Sequence, residues 1–200
     1  FKFNEIQKAI GSNYLDMSIH YALNQDYSET GTAVSFFQAK EFWEKKHCSI
    51  LMLHGDLFYD PSILDDLLAS QASSTLLTDY NYQNLTNDEM VVFARNANVY
   101  KVEKGPEELT NSKGESLGIN LFAESFCKKY FLYLEDFLAD DMNKKFHWEQ
   151  TIEGFLRSDE QLILSERDIN KKPWININYS NDFHDATNNI YHKLYNTDPI

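Results

Sequence analysis

The most constraining feature of this sequence is a short apolar run that ends at a glycine and an acidic residue and continues as a helix. The run SILML at residues 49–53 is apolar without alternation, which is typical of a strand buried on both faces of a parallel sheet. Pro61 then stands at a favoured first-turn position, and isoleucine and leucine follow it at helical spacing. This order predicts an α/β fold with His54-Gly55-Asp56 at the carboxyl end of a buried strand.

The rest of the chain extends this interpretation. FNEIQKAIG has the pattern of a helix that ends at Gly11, and MSIHYALN at 17–24 alternates like a strand. Two β-like runs flank Asn96-Ala97-Asn98, which is a hairpin signal. We therefore expect a single domain over residues 1–200, with a mostly parallel central mixed sheet and a β-hairpin insertion.

Composition limits the partners of this domain. The 200 residues are 42% hydrophobic and 14% aromatic, which is enough for one well-buried core. The formal net charge of −13 argues against non-specific binding to nucleic acid and against an anionic membrane surface. The longest apolar runs are shorter than a membrane span, so we expect a cytoplasmic protein, and its many aromatic residues permit an oligomer.

The acidic residue after the buried strand is the first candidate site. In open α/β sheets ligands bind beyond the carboxyl ends of the strands, and Asp56 would project into that crevice. Its carboxylate could hold Mg²⁺ through oxygen, while Gly55 would allow a ligand to approach the backbone closely. The alternative is that Asp56 only caps a turn.

Three other segments suggest ligand contacts, and each has a plainer structural interpretation. Gly31-Thr32 begins a helix, where backbone N–H groups could bind a phosphate or a base edge, or simply start the helix. Lys104 ends the hairpin beside Gly105-Pro106. It could bind a phosphate, or it could belong to a surface turn. In PWININ, Asn176 and Asn178 share one strand face. An amide oxygen there could be a Mg²⁺ ligand, or the two residues could lie on the solvent-facing side of an edge strand.

Taken in order, these segments resemble the nucleotidyltransferase family with a glycosyltransferase-A-like fold. The resemblance covers nearly the whole chain, and the phosphocholine and aminoethylphosphonate cytidylyltransferases are the most similar branch. It implies a Rossmann-like, three-layer α/β/α architecture. The matching segments are FNEIQKAIG, GTA, LMLHGDLFYD, LLTDYN, DEMVVF, VYKVEKGP, GESLGINLF, HWEQTIEGF and PWININYSNDFHDA.

The resemblance implies a Mg²⁺-dependent transfer of a nucleoside monophosphate from a nucleoside triphosphate to a small phosphate- or phosphonate-bearing acceptor, with release of pyrophosphate. Asp56 matches the aspartate that holds the metal, and Asn178 falls where many members have a second aspartate. Lys104 matches a catalytic lysine that faces the acceptor phosphate. The remaining positions that the resemblance implies are Gly31, Thr32 and Gly55 on the nucleotide side and Glu103, Glu115, Gly118, Trp148 and Glu149 on the acceptor side.

An aromatic and an acidic group at Trp148 and Glu149 would favour a cationic head group on the acceptor. The sequence departs from the family in one respect, because none of its glycines forms the family's N-terminal, glycine-rich triphosphate loop. We therefore expect that an N-terminal part is missing and that these 200 residues alone are inactive. The alternative is a non-catalytic member of the same fold that binds a nucleotide or a sugar phosphate as a regulator.

Overall fold

A computed structural model describes residues 2–69, 74–81 and 88–195, as helices layered on a mixed sheet. The helices are α1 (Phe3–Ile10), α2 (Thr32–Phe37), α3 (Lys40–Trp43), α4 (Ser62–Ala69), α5 (Glu124–Phe137), α6 (Ile152–Ser158), α7 (Ser180–Asp185) and α8 (Tyr191–Tyr195). The strands are β1 (Asn13–Tyr14), β2 (Met17–Ser18), β3 (Ile50–Leu53), β4 (Leu57–Tyr59), β5 (Thr75–Asp79), β6 (Met90–Arg95), β7 (Asn98–Lys104), β8 (Ser112–Phe122), β9 (Ser165–Asp168) and β10 (Trp174–Asn176). Short helical turns cover Asp141–Lys145, Glu149–Thr151 and Ala186–Ile190.

Six of the described strands form the main sheet, in the order β3-β8-β5-β9-β7-β6. The long strand β8 also pairs with β6 through its first half, so the pairings of β8, β5, β9, β7 and β6 close into a ring. The α/β class with a mixed sheet is confirmed. Parallel pairing is rarer than predicted, because β8 lies between β3 and β5 and runs antiparallel to both. Among the described strands of this sheet, β5 and β9 form the parallel pair.

The two faces of the sheet carry separate apolar cores, as expected for three layers. Leu76 points into a core with α2, α3, α5 and α6, whereas its neighbour Leu77 points to the other side, where Ile63 and Leu67 of α4 pack. Consecutive strand residues face opposite sides, so one strand serves both cores. The first core is aromatic, with Phe122, Tyr130, Phe131, Trp148 and Phe155 buried within it.

Local turn chemistry places the hairpin and the helix end where the sequence predicts them. β6 and β7 are joined by Asn96 and Ala97, both with positive φ, as a two-residue hairpin turn requires. α1 ends at Gly11, whose φ is 80°. The predicted strand at 17–24 is wrong beyond Met17–Ser18, which pairs with Asn13–Tyr14; none of the described strands pairs with residues 19–24.

A bulge in β8 shapes the region beside the end of β3. Between Leu76 and Thr78 of β5, the register on β8 moves from Asn120 to Ser116, so β8 contains extra residues there. Gly118 lies within this bulge with a φ of +73°, a conformation that L side chains rarely adopt. On one side of the bulge β8 pairs with β6 and β5, and on the other side it pairs with β3 and β5.

Candidate active site

A cleft of about 530 Å³ lies beyond the end of β3, where several elements of the fold converge. It collects residues from the β3–β4 turn, the hairpin strands, β8, the turn before α6 and the end of β10. Most of the predicted site residues lie here, although they are far apart in the sequence. The residues that line the cleft are Thr32, His54, Asp56, Asp88, Glu89, Met90, Lys104, Glu115, Ser116, Leu117, His147, Glu149, Asn176, Asn178 and Tyr179.

The pairing of β4 with β10 brings Asp56 close to the two asparagines. Leu57 lies opposite Asn176, and beyond this pair the N–H of Ile177 donates to the Asp56 carbonyl at 2.7 Å. Asp56 is exposed, and Asn176 and Asn178 also line the cleft. The pairing joins two segments that are 120 residues apart along the chain, as the metal hypothesis requires.

These side chains suit a hard divalent cation. A carboxylate and amide oxygens are Mg²⁺ ligands, with water completing the shell. The Oδ1 atom of Asn176 is buried and lacks a hydrogen-bond partner among the described residues, so it is available as a ligand. Over the same part of the chain, no group of three or more His, Cys, Asp or Glu side chains could hold a metal by itself. The donor set therefore fits Mg²⁺ held in part by amide oxygens.

Asp182 fixes the loop that carries Asn178. Its Oδ2 accepts the backbone N–H groups of Asn178 and Tyr179 at 2.9 and 2.7 Å, as part of a capping box at the start of α7. Two otherwise orphaned donors at the helix start are satisfied by one carboxylate. Asp182 thus acts on the cleft through the backbone, a role that its position three residues after the N-cap, Tyr179, explains.

The end of β7 separates Lys104 from Glu103. Lys104 lines the cleft and pairs with Asp88 at 2.7 Å, which lowers the pKa of that carboxyl through a hydrogen bond and charge attraction. Glu103 points to the opposite side of the strand and pairs with Lys101 at 2.6 Å. The predicted acceptor contact of Glu103 is therefore not supported in this cleft, because alternate strand residues face opposite sides.

The start of α2 is closed by the chain itself. Gly31 N–H donates to the Lys144 carbonyl at 2.7 Å, and Ala33 N–H donates to the Phe146 carbonyl at 3.2 Å. A Cβ on Gly31 would lie 2.1 Å from the Phe146 oxygen, so this glycine permits close packing of two backbone segments. The Gly31 N–H predicted to meet the nucleotide is thus already occupied.

Thr32 and Gly55 remain beside or within the cleft region. The Thr32 hydroxyl lines the cleft and accepts the Trp148 backbone N–H at 3.1 Å. Gly55 is exposed, and a Cβ built on it would meet no atom within 4 Å. Its predicted role in admitting a ligand close to the backbone stays a prediction.

A half-buried carboxyl group, Glu115, and a buried one, Glu149, face the cleft from different elements. Burial, assisted by Glu89 and Asp79, raises the pKa of Glu115 to about 7. Burial, assisted by Asp56, likewise raises the pKa of Glu149 to about 7. Glu149 is only 2% exposed, and its Oε2 lacks a hydrogen-bond partner among the described residues. Desolvation favours the neutral carboxyl until a cation arrives, so both groups are suited to binding one.

Trp148 does not present its ring to the cleft. It is 2% exposed, packs with Phe122 in the aromatic core and donates its indole N–H to His54 Nε2 at 3.0 Å. The predicted cation–π contact from Trp148 is therefore not supported, because burial leaves neither ring face accessible. Tyr179, which is 74% exposed, is the tyrosine that lines the cleft instead.

Gly118 contributes to the site indirectly. A Cβ on Gly118 would lie 2.4 Å from His54 Nδ1, so the glycine makes room for the imidazole. The predicted contact of Gly118 with the acceptor stays a prediction. His54, His147, Asp88 and Tyr179 are the main cleft residues to which the sequence assigned no role, although each lies within one of the matching segments.

The charge of the cleft is predominantly negative. Asp56, Asp88 and Glu89 line it, and Glu115 and Glu149 add negative charge once they ionise near pH 7. Lys104 is the one lysine or arginine among the described residues that line the cleft. Burial lowers the pKa of His54 and of His147, so neither imidazole offsets these acids at neutral pH. This balance favours metal ions and positively charged ligand groups.

Comparison with known proteins supports the same fold. No protein-family model matches the chain. A 71-residue segment is 31% identical to CMP-5'-(3-aminopropyl)phosphonate synthase of Streptomyces rubellomurinus (strain ATCC 31215) and covers 36% of this chain. The match spans only 11% of that longer protein.

Several solved structures share the architecture at low sequence identity. The inositol-1-phosphate CTP transferase of T. maritima superposes with a TM-score of 0.72 at 15% identity, over 98% of this chain and 72% of that one. A putative glucose-1-phosphate thymidylyltransferase from Bacillus anthracis gives 0.71 at 15% identity, over 92% and 70%. CTP:phosphocholine cytidylyltransferase from Streptococcus pneumoniae gives 0.58 at 13% identity, over 92% and 71%.

These neighbours transfer nucleotides according to their names, and they match nearly all of this chain. None of the described helices is long and apolar enough to cross a membrane. The resemblance found in the sequence is thus confirmed at the level of the fold: this chain has the fold of the nucleotidyltransferases.

Proposed function

We propose that the protein transfers a nucleoside monophosphate from a nucleoside triphosphate to a phosphate- or phosphonate-bearing acceptor and releases pyrophosphate. The observation that carries this proposal is the meeting of Asp56, Asn178, Lys104, Glu115 and Glu149 in one cleft of a nucleotidyltransferase fold. Each lies on a different element. Together they supply candidate groups for binding the metal, for contacting a phosphate and for contacting the acceptor.

The chemistry requires positioning more than proton transfer. An acceptor oxygen, already anionic, attacks the α-phosphorus and forms a new P–O bond. The bond from the α-phosphorus to the bridging oxygen breaks, and that oxygen leaves with pyrophosphate. No general base is needed, so catalysis rests on orientation and on neutralising charge.

The cleft residues have distinct parts in this scheme. Asp56, Asn178 and Asn176 would hold Mg²⁺, with Asp182 fixing the loop beneath them. When bound, Mg²⁺ neutralises charge on phosphate oxygens. Lys104, close to the cleft rim in an ion pair with Asp88, can exchange this partner for an acceptor phosphate.

The negative cleft supports an acceptor that also carries a positive group. Glu149 and Glu115 offer carboxyl groups to an ammonium, and Tyr179 offers an exposed ring to the same group. The partial match to an aminopropylphosphonate nucleotide synthase is consistent with this charge pattern. A phosphonate or phosphate with a cationic head group is therefore our proposed acceptor, in a cytoplasmic reaction.

A non-catalytic regulator is the second candidate. Two observations favour it. The N–H of Gly31 is already hydrogen-bonded to the Lys144 carbonyl, and Lys104 is the one lysine or arginine among the described residues that line the cleft. A triphosphate needs more positive charge than this. The regulator would bind a nucleotide or a sugar phosphate without turnover.

Pyrophosphate release distinguishes the two. The full-length protein is incubated with Mg²⁺, each of CTP, UTP, GTP, ATP and dTTP, and a panel that includes phosphocholine, aminoalkylphosphonates and sugar 1-phosphates. We expect release with an amine-bearing acceptor. Nucleotide binding by calorimetry without release in any combination would contradict the enzyme and support the regulator.

A further inference from the structure

His54 lies between the metal-binding turn and the acceptor side of the cleft. Its backbone N–H donates to the Gly118 carbonyl at 2.9 Å, which extends the β3–β8 pairing by one residue. Its ring occupies the space left by the missing side chain of Gly118. The backbone and one edge of the imidazole are therefore fixed by β8.

The hydrogen bond from Trp148 defines the chemistry of the ring. An indole N–H is a donor only, so Nε2 of His54 must accept at 3.0 Å. A neutral imidazole with an accepting Nε2 carries its proton on Nδ1. The T-shaped contact of the two rings, with centroids 6.2 Å apart, holds the same orientation.

The same nitrogen faces the buried acid of the cleft. Glu149 Oε1 lies 3.4 Å from Nε2, a contact without a hydrogen bond because the one Nε2 lone pair already accepts the Trp148 N–H. Glu149 Oε2, also buried, has no hydrogen-bond partner within the described ranges and belongs to a carboxyl that lines the cleft. One imidazole thus touches both residues of the Trp148-Glu149 pair. It connects the end of β3 to the turn that precedes α6.

We propose that His54 is a positioning residue: by accepting the indole N–H it keeps Trp148 turned into the core, and it thereby fixes the adjoining Glu149, whose carboxyl lines the cleft. The effect on acceptor binding rests on the proposed function, whereas the contact with Trp148 can be tested separately. Because His54 contacts the acceptor side through Glu149, its loss should weaken acceptor binding more than nucleotide binding.

The test compares two substitutions at one position. His54→Phe keeps a ring but removes the nitrogen that accepts the Trp148 N–H. His54→Gln can place a carbonyl oxygen near the position of Nε2. We expect His54→Phe to raise the acceptor KM about tenfold, with the nucleotide KM changed less than about twofold. His54→Gln should restore most of the acceptor affinity. His20→Phe, an exposed histidine stacked on Phe42, is the matched control and should change neither KM.

A second readout does not depend on activity. The Trp148 indole ¹H–¹⁵N resonance, assigned with Trp148→Phe, should shift in His54→Phe and much less in His54→Gln. Gly118→Ala should also shift it, because the added Cβ would displace the imidazole, and this variant replaces His54→Phe if that variant does not fold.

The outcomes separate the two proposals. Equal changes in both KM values, or an unchanged acceptor KM in folded His54→Phe, would overturn the positioning role. If the unmodified protein releases no pyrophosphate, the proposed function fails. Phosphocholine affinity by calorimetry then takes the place of the acceptor KM: a loss in His54→Phe that His54→Gln restores supports positioning, and any other result overturns it.

Discussion

The carboxylate of Asp182 accepts the backbone N–H of Asn178 at 2.9 Å, so a helix cap also fixes a predicted metal ligand. The same oxygen holds the N–H of Tyr179, which lines the cleft beside Asn178. The start of α7 and the geometry of the cleft therefore depend on one side chain.

Replacing this cap should affect both stability and metal binding. We expect Asp182→Ala to lower the free energy of unfolding by about 1 kcal/mol, the usual cost of a lost cap. Mg²⁺ should also bind more weakly, since the loop carrying Asn178 loses its anchor. Urea denaturation and a Mg²⁺ titration measure the two effects. Asp185→Ala, on the same helix but paired with Asn189, is the control, and equal Mg²⁺ affinity in both variants would refute the coupling.

Substitutions at Asp56 and Asp60 should separate effects on turnover from effects on stability. Asp56→Ala should reduce turnover on the order of 10²-fold or more with little loss of stability, because its side chain is exposed and we assign it to the metal. Asp60 accepts the Ser62 N–H at 2.9 Å at the start of α4, so Asp60→Ala should lower stability and keep turnover. Steady-state kinetics and thermal unfolding are measured on both variants. Full activity in Asp56→Ala would exclude the metal assignment.

Glu115 should make the unliganded protein less stable as pH rises. Its pKa is raised from 4.5 to about 7 in the folded state, so its contribution to stability is complete below pH 4.5. That contribution is lost as the pH rises toward 7 and stays lost above it, a change of at most about 3 kcal/mol. Glu115→Gln should remove this part of the pH dependence and leave the part due to Glu149, whose pKa is also raised to about 7. Denaturant titrations at pH 5, 6, 7 and 8 would show the difference.

An exposed glutamate provides the control for that experiment. Glu107→Gln makes the same chemical change outside the cleft and should leave the pH dependence of stability as it is in the unmodified protein. If Glu115→Gln and the unmodified protein lose stability in parallel between pH 5 and 7, the burial of Glu115 is not the cause.

The aromatic residues on the two sides of the site should respond differently. Trp148→Ala should cost about 3–5 kcal/mol of stability, because it removes a fully buried ring from the core. Tyr179→Ala should cost less than about 0.5 kcal/mol, since the ring is 74% exposed, yet it should weaken binding of phosphocholine. Guanidinium denaturation and calorimetry measure the two quantities. Unchanged phosphocholine affinity in Tyr179→Ala would argue against its contact with a cationic head group.

Two glycines form a matched pair for packing. Gly31→Ala should destabilise the fold by about 1–3 kcal/mol, because the new Cβ would press on the backbone of Phe146. Gly55→Ala has open space around the new Cβ and should change the unfolding temperature little. Differential scanning calorimetry compares them. An equal loss in both variants would mean that the close approach at Gly31 is not what requires glycine.

Features that depend on neighbouring residues could be read from the sequence. The hairpin turn follows from residues that tolerate positive φ at Asn96 and Ala97, and α1 ends at Gly11 for a similar local reason. SILML identified β3, and the order of motifs identified the fold. The alternation at 17–24 misled, because a strand also needs a partner, and residues beyond Met17–Ser18 have none among the described strands.

The sequence by itself determined the fold class and identified seven of the fifteen residues that line the cleft, since short-range periodicity and motif order carry this information. Only the tertiary structure decided which side chains face the cleft. Glu103 and Lys104 are adjacent, but strand alternation sends them to opposite sides. Trp148 and Glu149 are also adjacent, yet one completes the core and the other lines the cleft. His54 joins them to β8 through contacts spanning more than sixty residues, which no local pattern encodes.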